Sequence, residues 1–148
     1  MKKEIKNNEV FCYPDTLLNK FIPQAWQIQI MQIFISSYKK KISFYTGENH
    51  KTYKSMGLFK KKLNEEKKLN GFVFFSYLQF CYDKKKNENL IKKSIDKNFT
   101  IYLAREKMVI NKKNYLQNKK IYFFSRKVIK ILLMSSLTHS LNVCKIHI

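Results

Sequence analysis

The chain has 148 residues, of which 45% are hydrophobic and 15% aromatic. This is enough apolar material for one packed domain, and it excludes a protein that is mostly disordered. The formal net charge is +20, but only Arg105 and Arg126 of the 30 basic residues are arginines, which argues against dedicated recognition of phosphates or bases.

Apolar periodicity along the chain predicts alternating strands and helices. Strands are predicted at residues 10–13, 42–46, 72–75, 100–104 and 121–124. The first helix opens at Pro23, where a proline fits the first turn, and carries apolar Trp26, Ile30, Ile33 and Phe34. Further helices are predicted at residues 55–68, 88–95 and 127–137. Asn70-Gly71 is a turn signal directly before the third strand.

Strands and helices that alternate at this spacing predict a parallel sheet covered by helices. We therefore expect an α/β fold: a single three-layer domain over residues 1–148 with a small, mostly parallel sheet of four to five strands. The arrangement is expected to be flavodoxin-like or resolvase-like. The C-terminal tail from about residue 126 is divergent.

Cysteine usage and the terminal segments predict a cytoplasmic protein with reduced thiols and no zinc site built from cysteine and histidine. The three cysteines are Cys12, Cys81 and Cys144, and none belongs to a Cys-x-x-Cys or zinc-like cluster. Charged and amide residues, rather than an apolar signal region, follow Met1. The longest apolar stretch near the C-terminus, residues 128–134, is interrupted by Lys130 and is too short to span a bilayer.

Polar residues that follow the predicted strands are the candidates for a functional site, because ligands of parallel sheets bind beyond the carboxyl ends of the strands. Glu48 and Glu106 follow the second and fourth strands, and we predict them as a carboxylate pair for acid/base catalysis. The predicted ligand-binding residues are Gln24, Gln27, Ser76, Gln79 and Arg105. Each has a structural alternative, since a glutamate at a helix N-terminus is stabilised by the helix dipole and an amide can be solvated.

Several site classes are excluded by missing motifs. The chain has no glycine-rich phosphate loop, which excludes Walker-type NTPases and dinucleotide-binding Rossmann proteins. It has no Gly-x-Ser-x-Gly elbow that would expose a serine nucleophile. The predicted strand order is similar to that of serine recombinase catalytic domains, but Pro14, Asp15 and Thr16 follow the first strand in place of a serine surrounded by arginines. The sequence does not identify a cofactor.

Four segments carry a resemblance to a known family. They are IPQAWQ at residues 22–27, FYTGEN at 44–49, LNGFVFFSYLQ at 69–79 and IYLARE at 101–106. Over about residues 11–110 the chain resembles the bacterial sporadic carbohydrate cluster protein family, whose members are encoded among genes for surface polysaccharide synthesis. Ile28 and Tyr102 stand where that family has Asn and His.

The resemblance implies a cytoplasmic accessory protein of bacterial surface polysaccharide biosynthesis that binds or modifies a sugar or nucleotide sugar at the strand ends. Two alternatives remain open. The first is a non-catalytic binding or scaffold protein for an enzyme of the same glycan pathway. The second is a basic protein that binds polyanions or nucleic acid. Because Lys, Asn, Ile, Phe and Tyr have AT-rich codons, an AT-rich genome explains the charge, and we expect only non-specific, salt-sensitive nucleic-acid binding.

Overall fold

A computed structural model describes residues 8–49, 51–65, 69–82 and 84–117. Packing divides the chain into two compact units, Met1–Lys112 and Lys113–Ile148. The sheet and the site described below belong to the first unit. The predicted strand at 121–124, the predicted helix at 127–137 and the tail from residue 126 lie outside the described residues, and the single domain over 1–148 stays a prediction.

The described residues form a mixed α/β fold around one five-stranded, mostly parallel sheet, which confirms the predicted class. In chain order the elements are β1 (Glu9–Tyr13), α1 (Gln24–Ser36), β2 (Lys41–Tyr45), α2 (Gly57–Glu65), β3 (Gly71–Phe74), α3 (Lys84–Asp96), β4 (Thr100–Leu103) and β5 (Met108–Ile110). Single 3₁₀ turns lie at Leu18–Lys20 and Tyr77–Phe80. The strand order is β2-β1-β3-β4-β5, and β5 alone runs antiparallel to its neighbour.

The two faces of the sheet are covered by different helices, as the period-2 alternation of strand side chains requires. Val10 and Cys12 of β1 pack with Met31 and Ile35 of α1 on one face. The alternate residues of β1 and β3 point to the other face, where they meet an aromatic cluster centred on Phe59 of α2. The sheet therefore forms the middle of three layers, and its central strands are buried on both faces.

The chain segments that leave the carboxyl edge of the sheet begin with hydrogen bonds to neighbouring strand ends. Backbone N–H groups of Ala104 and Arg105 donate to the carbonyls of Phe74 and Phe75, at 3.0 and 2.9 Å, so the end of β4 is fixed to the end of β3. The N–H of Thr46 donates to the Cys12 carbonyl in the same way. Side chains that leave these ends are therefore held on a rigid frame.

The antiparallel strand β5 was not predicted from the sequence. A four-residue turn after Leu103 reverses the chain, and Lys107 takes the left-handed conformation at φ 51°. That conformation ordinarily calls for Gly, Asn or Asp, so the usual hairpin signal is absent here. A further finding concerns the membrane: among the described residues no helix has the length and apolar character needed to cross a bilayer.

Candidate functional site

A small depression lies where the carboxyl ends of β1, β2 and β3 converge. It is lined by Tyr13, Pro14, Asp15, Thr16, Glu48, Tyr53, Met56, Gln79 and Tyr82. The strand order reverses between β1 and β3, and this is the position where open α/β sheets bind ligands. The enclosed part is about 10 Å³, room for one water molecule, within about 230 Å³ of empty space that is partly open solvent.

Glu48 is buried at the edge of this depression and caps helix α2. Its carboxylate accepts the backbone N–H groups of Leu58 and Phe59, at 3.3 and 3.1 Å, and the hydroxyl of Tyr13. Free N–H groups and the helix dipole make a helix N-terminus a favourable place for a carboxylate. Three donors thus hold a side chain that the sequence predicts to be catalytic.

Glu106 and Ser76 form a second capping arrangement, at the 3₁₀ turn after β3. The Ser76 hydroxyl donates to Glu106 at 2.7 Å and accepts the Leu78 N–H at 3.2 Å. The other Glu106 oxygen accepts the Tyr77 N–H at 3.1 Å. Ser76 is fully buried, and both partners of its hydroxyl are structural. Glu106 does not line the depression, so the predicted carboxylate pair is not gathered in one cavity.

Gln79 and Gln27 are buried amides that hold loops in place: Gln79 ties the turn after β3 to strand β1, and Gln27 ties the loop after β1 to helix α1. The Gln79 side chain accepts the Ser76 N–H at 3.2 Å and donates to the Tyr13 carbonyl at 3.1 Å. The Gln27 side chain accepts the Asp15 N–H at 2.7 Å and donates to the Asp15 carbonyl at 3.0 Å. Both of these amides therefore use their oxygen and their nitrogen within the fold.

Gln24 and Arg105 are exposed and lie apart from the depression. Gln24 begins helix α1, where its N–H donates to the Asn19 side chain at 2.8 Å. Arg105 lies in the turn between β4 and β5. Neither residue lines the depression, so the structure does not bring these two candidates together with the others.

Asp15 and two tyrosines complete the depression, although the sequence-based site does not include them. Asp15 is 2% exposed, and its carboxylate accepts the Tyr82 hydroxyl at 2.8 Å and the Leu17 N–H at 3.0 Å. The rings of Tyr53 and Tyr82 meet edge to face, with centroids 5.8 Å apart. Asp15 lies two residues after the end of β1, so it carries the positional signal that singled out Glu48. The two tyrosines lie in lysine-rich loops and follow no pattern.

The depression is acidic, in contrast to the rest of this cationic chain. Within the part of the chain that the structure describes, the ion pairs are those of Glu65 with Lys61 and Lys62, and neither Asp15 nor Glu48 has a cationic partner. Burial is the main cause that raises the pKa of the Asp15 carboxyl above its usual range. Burial, followed by the charge of Asp15, raises the pKa of Tyr82, which therefore keeps its proton as a donor.

Neither a metal-binding cluster nor a related protein indicates which ligand or reaction belongs to the depression. Among residues 8–49, 51–65, 69–82 and 84–117, no group of three or more His, Cys, Asp or Glu side chains could hold a metal ion. No family model, curated protein or solved structure matches the chain. The residues that line the depression are therefore the structural evidence for a function.

Proposed function

We propose that this chain is a cytoplasmic, non-catalytic accessory protein of bacterial surface polysaccharide synthesis that binds a sugar at the depression. The observation that carries the proposal is the pairing of two carboxylates, Asp15 and Glu48, with the tyrosine walls of a depression at the strand-order reversal. Carboxylates accept hydrogen bonds from sugar hydroxyls, and aromatic rings offer an apolar surface to a sugar ring.

Electrostatics favour a neutral sugar over a phosphate at this position. Both carboxylates lack a cationic neighbour among the described residues, so a phosphate placed between them would be repelled. A nucleotide sugar would have to place its sugar in the depression and its diphosphate outside. The small enclosed volume means that a sugar ring rests at the mouth, beside Tyr53 and Tyr82.

Binding without turnover is proposed because the two predicted acid/base residues are engaged elsewhere. Glu48 accepts three hydrogen bonds, and Glu106 holds the turn after β3. Catalysis by a carboxylate pair needs both groups within reach of one substrate, and Glu106 does not line the depression that Glu48 borders. Acid/base roles for Glu48 and Glu106 stay predictions from the sequence.

The finer fold assignment is part of the same proposal. The strand order 2-1-3-4-5 is that of flavodoxin-like sheets, which bind their ligands at the reversal between β1 and β3. The antiparallel β5 departs from a wholly parallel sheet. A flavodoxin-like or resolvase-like arrangement supports a ligand at the strand ends, and the resemblance to the sporadic carbohydrate cluster family supports a carbohydrate as that ligand.

A thermal-shift panel tests this function. Free sugars, sugar phosphates and nucleotide sugars are compared at ~20 and ~200 mM salt, with heparin as the control for charge. A ligand at 100 times its dissociation constant stabilises a protein by about 2.7 kcal/mol. We expect one class of sugar to raise the melting temperature equally at both salt concentrations, whereas the heparin effect disappears at the higher one.

Tyr53→Ala and Tyr45→Ala provide the matched pair of variants. Tyr53 lines the depression, whereas Tyr45 is 45% exposed on β2 and lies outside it. The sugar-dependent shift should be lost in Tyr53→Ala and retained in Tyr45→Ala. Shifts with heparin alone, or a sugar response that Tyr53→Ala leaves intact, would refute the proposed function.

A further inference from the structure

Helix α1 carries an exposed apolar stripe on the face that points away from the sheet. Trp26, Ile30 and Ile33 are 65%, 42% and 68% exposed, and their spacing of four and three residues places them in one row along the helix. Phe21, three residues before the helix begins, is 82% exposed. The opposite face of α1 packs on the sheet through Met31 and Ile35.

The composition of α1 differs from that of the other helices. Its sequence, QAWQIQIMQIFIS, contains no charged residue, whereas α2 and α3 carry runs of lysine on a chain of net charge +20. Surface helices of globular proteins ordinarily present a charged face to water, whereas the exposed face of α1 consists mainly of glutamines and the apolar stripe. The stripe therefore has the composition of a surface that is covered by another apolar surface.

We propose that α1 is a homodimer interface, in which the stripes of two copies pack against each other as an antiparallel helix pair around a two-fold axis. Two copies that each carry +20 repel one another wherever lysines face, so contact between them requires an uncharged surface. Helix α1 supplies such a surface, and it supplies the same one to both copies, as a two-fold interface demands.

The register of the stripe suits a two-fold axis close to Ile30. Ile30 lies in the middle of α1, with Trp26 four residues before it and Ile33 three residues after it. Antiparallel packing around that point places Trp26 of one copy against Ile33 of the second copy, and the reverse contact follows from symmetry. Each end of the seam then pairs the large Trp26 with the smaller Ile33, and the two Ile30 side chains meet at its centre.

The apolar area also reaches what a specific dimer needs. From ordinary side-chain areas of about 150–250 Å² for aromatic residues, Phe21 and the stripe expose roughly 500 Å² per copy. Burial of this area on both copies removes about 1,000 Å², the lower bound for a specific interface. We therefore expect a moderately stable dimer that dissociates on dilution.

The dimer is tested on the full chain by sedimentation equilibrium combined with tryptophan fluorescence. Trp26 is the single tryptophan of the sequence, so its emission reports on the stripe alone. The mass should rise from 17.9 kDa towards twice that value as the concentration increases, while the Trp26 emission shifts to shorter wavelength. Added salt should tighten the dimer several-fold, because it screens the repulsion between the two cationic copies.

Ile33→Lys and Gln32→Lys form the matched variants. Gln32 is exposed on the same helix but is rotated about 100° away from Ile33. A lysine in the seam should weaken the dimer at least ~100-fold, whereas Gln32→Lys should behave like the unmodified chain. If Ile33→Lys does not fold, Ile30→Cys replaces it, with Cys81 and Cys144 changed to Ser. A disulfide-linked dimer is then expected from Ile30→Cys and not from Gln32→Cys.

Three results would overturn the inference. A chain that is monomeric at all concentrations, with the emission of a solvent-exposed Trp26, would mean that the stripe does not bind a second copy of the chain. A monomer whose Trp26 is shielded at every dilution would mean that another part of the same chain covers it. A dimer that Ile33→Lys leaves unchanged would place the interface elsewhere. None of these results bears on sugar binding at the depression.

Discussion

Glu48 shows at the scale of one residue how a carboxylate at a strand end can stabilise the fold. It is 5% exposed and joins the loop after β2 to the first turn of α2 and to Tyr13 of β1. Hydrogen bonds to a charged acceptor contribute more than neutral ones, and a donor left without its acceptor in a buried site costs more still. The side chain is therefore placed to stabilise three elements at once.

Glu48→Gln should destabilise the protein by about 1–3 kcal/mol, because one carboxylate oxygen becomes an NH₂ group that faces N–H donors. Urea denaturation measures the change. Glu65→Gln is the control, since Glu65 is exposed and its ion pairs with Lys61 and Lys62 are long, at 3.9 Å. That control should change stability by less than ~0.5 kcal/mol. Equal stability of the two variants would show that Glu48 does not stabilise the fold by capping helix α2.

The buried carboxyl of Asp15 should make the stability of the protein depend on pH in a definite direction. Burial raises its pKa in the folded state above the value of 3.8 for the free side chain, so the folded protein holds this proton more tightly than the unfolded chain. The contribution to stability is then fully present below about pH 4 and is lost as pH rises through the raised pKa. Asp15→Asn has no such proton to lose.

Urea denaturation at several pH values between about 4 and 7 tests this sign. At each pH, the unfolding free energy of Asp15→Asn is subtracted from that of the unmodified chain. This difference should decrease as pH increases, by at most about 1.4 kcal/mol per pH unit. Other titrating groups are shared and cancel in the difference. A difference that stays flat, or that increases with pH, would show that burial does not raise the pKa of Asp15.

Sequence reasoning located many of the polar residues at the correct edge of the sheet but could not give their partners. Glu48, Ser76 and Gln79 do lie beyond the strand ends, because parallel strands bring their carboxyl ends to one edge. Whether a carboxylate faces a ligand or a backbone N–H depends on loop conformation, which local patterns do not encode. Asp15 carried the same positional signal as Glu48, whereas Tyr82 becomes a neighbour only through the tertiary fold.

At the scale of the elements, the four parallel strands could be predicted because each is a short apolar run between polar loops. The prediction at residues 72–75 matches β3 within one residue, as expected for a strand buried on both faces. The Asn70-Gly71 pair was interpreted as a turn, but Gly71 is the first residue of β3 and does not have a positive φ. It is instead needed for close approach to β4.

Gly71→Ala and Gly57→Ala should have opposite effects on stability. A Cβ atom on Gly71 would lie 2.0 Å from the Thr100 carbonyl oxygen, so β3 and β4 would have to separate, at a cost of about 3 kcal/mol. A Cβ on Gly57 would meet its nearest neighbours at 3.7 Å, and alanine favours the helix, so a gain of up to ~0.5 kcal/mol is expected. Chemical denaturation compares the two, and similar values would exclude the close-approach explanation.

At the scale of the whole molecule, charge separates three kinds of surface. The bulk of the surface is cationic, the stripe on α1 is neutral, and the depression at the strand ends contains two carboxylates without cationic partners among the described residues. Each surface predicts a different response to salt. Polyanion binding should weaken, self-association through α1 should strengthen, and binding of a neutral sugar in the depression should not change.

The most direct measurement is a titration of the ¹⁵N-labelled protein with the sugar selected by thermal shift, followed by amide chemical shifts at ~200 mM salt. If the depression binds the sugar, the perturbed amides cluster at Asp15, Thr16, Glu48, Gln79 and Tyr82, and Tyr53→Ala abolishes the perturbations. The amides of α1 serve as an internal control that should not move. Perturbations that are absent, or that spread over the lysine-rich surface, would contradict a sugar site at the strand ends.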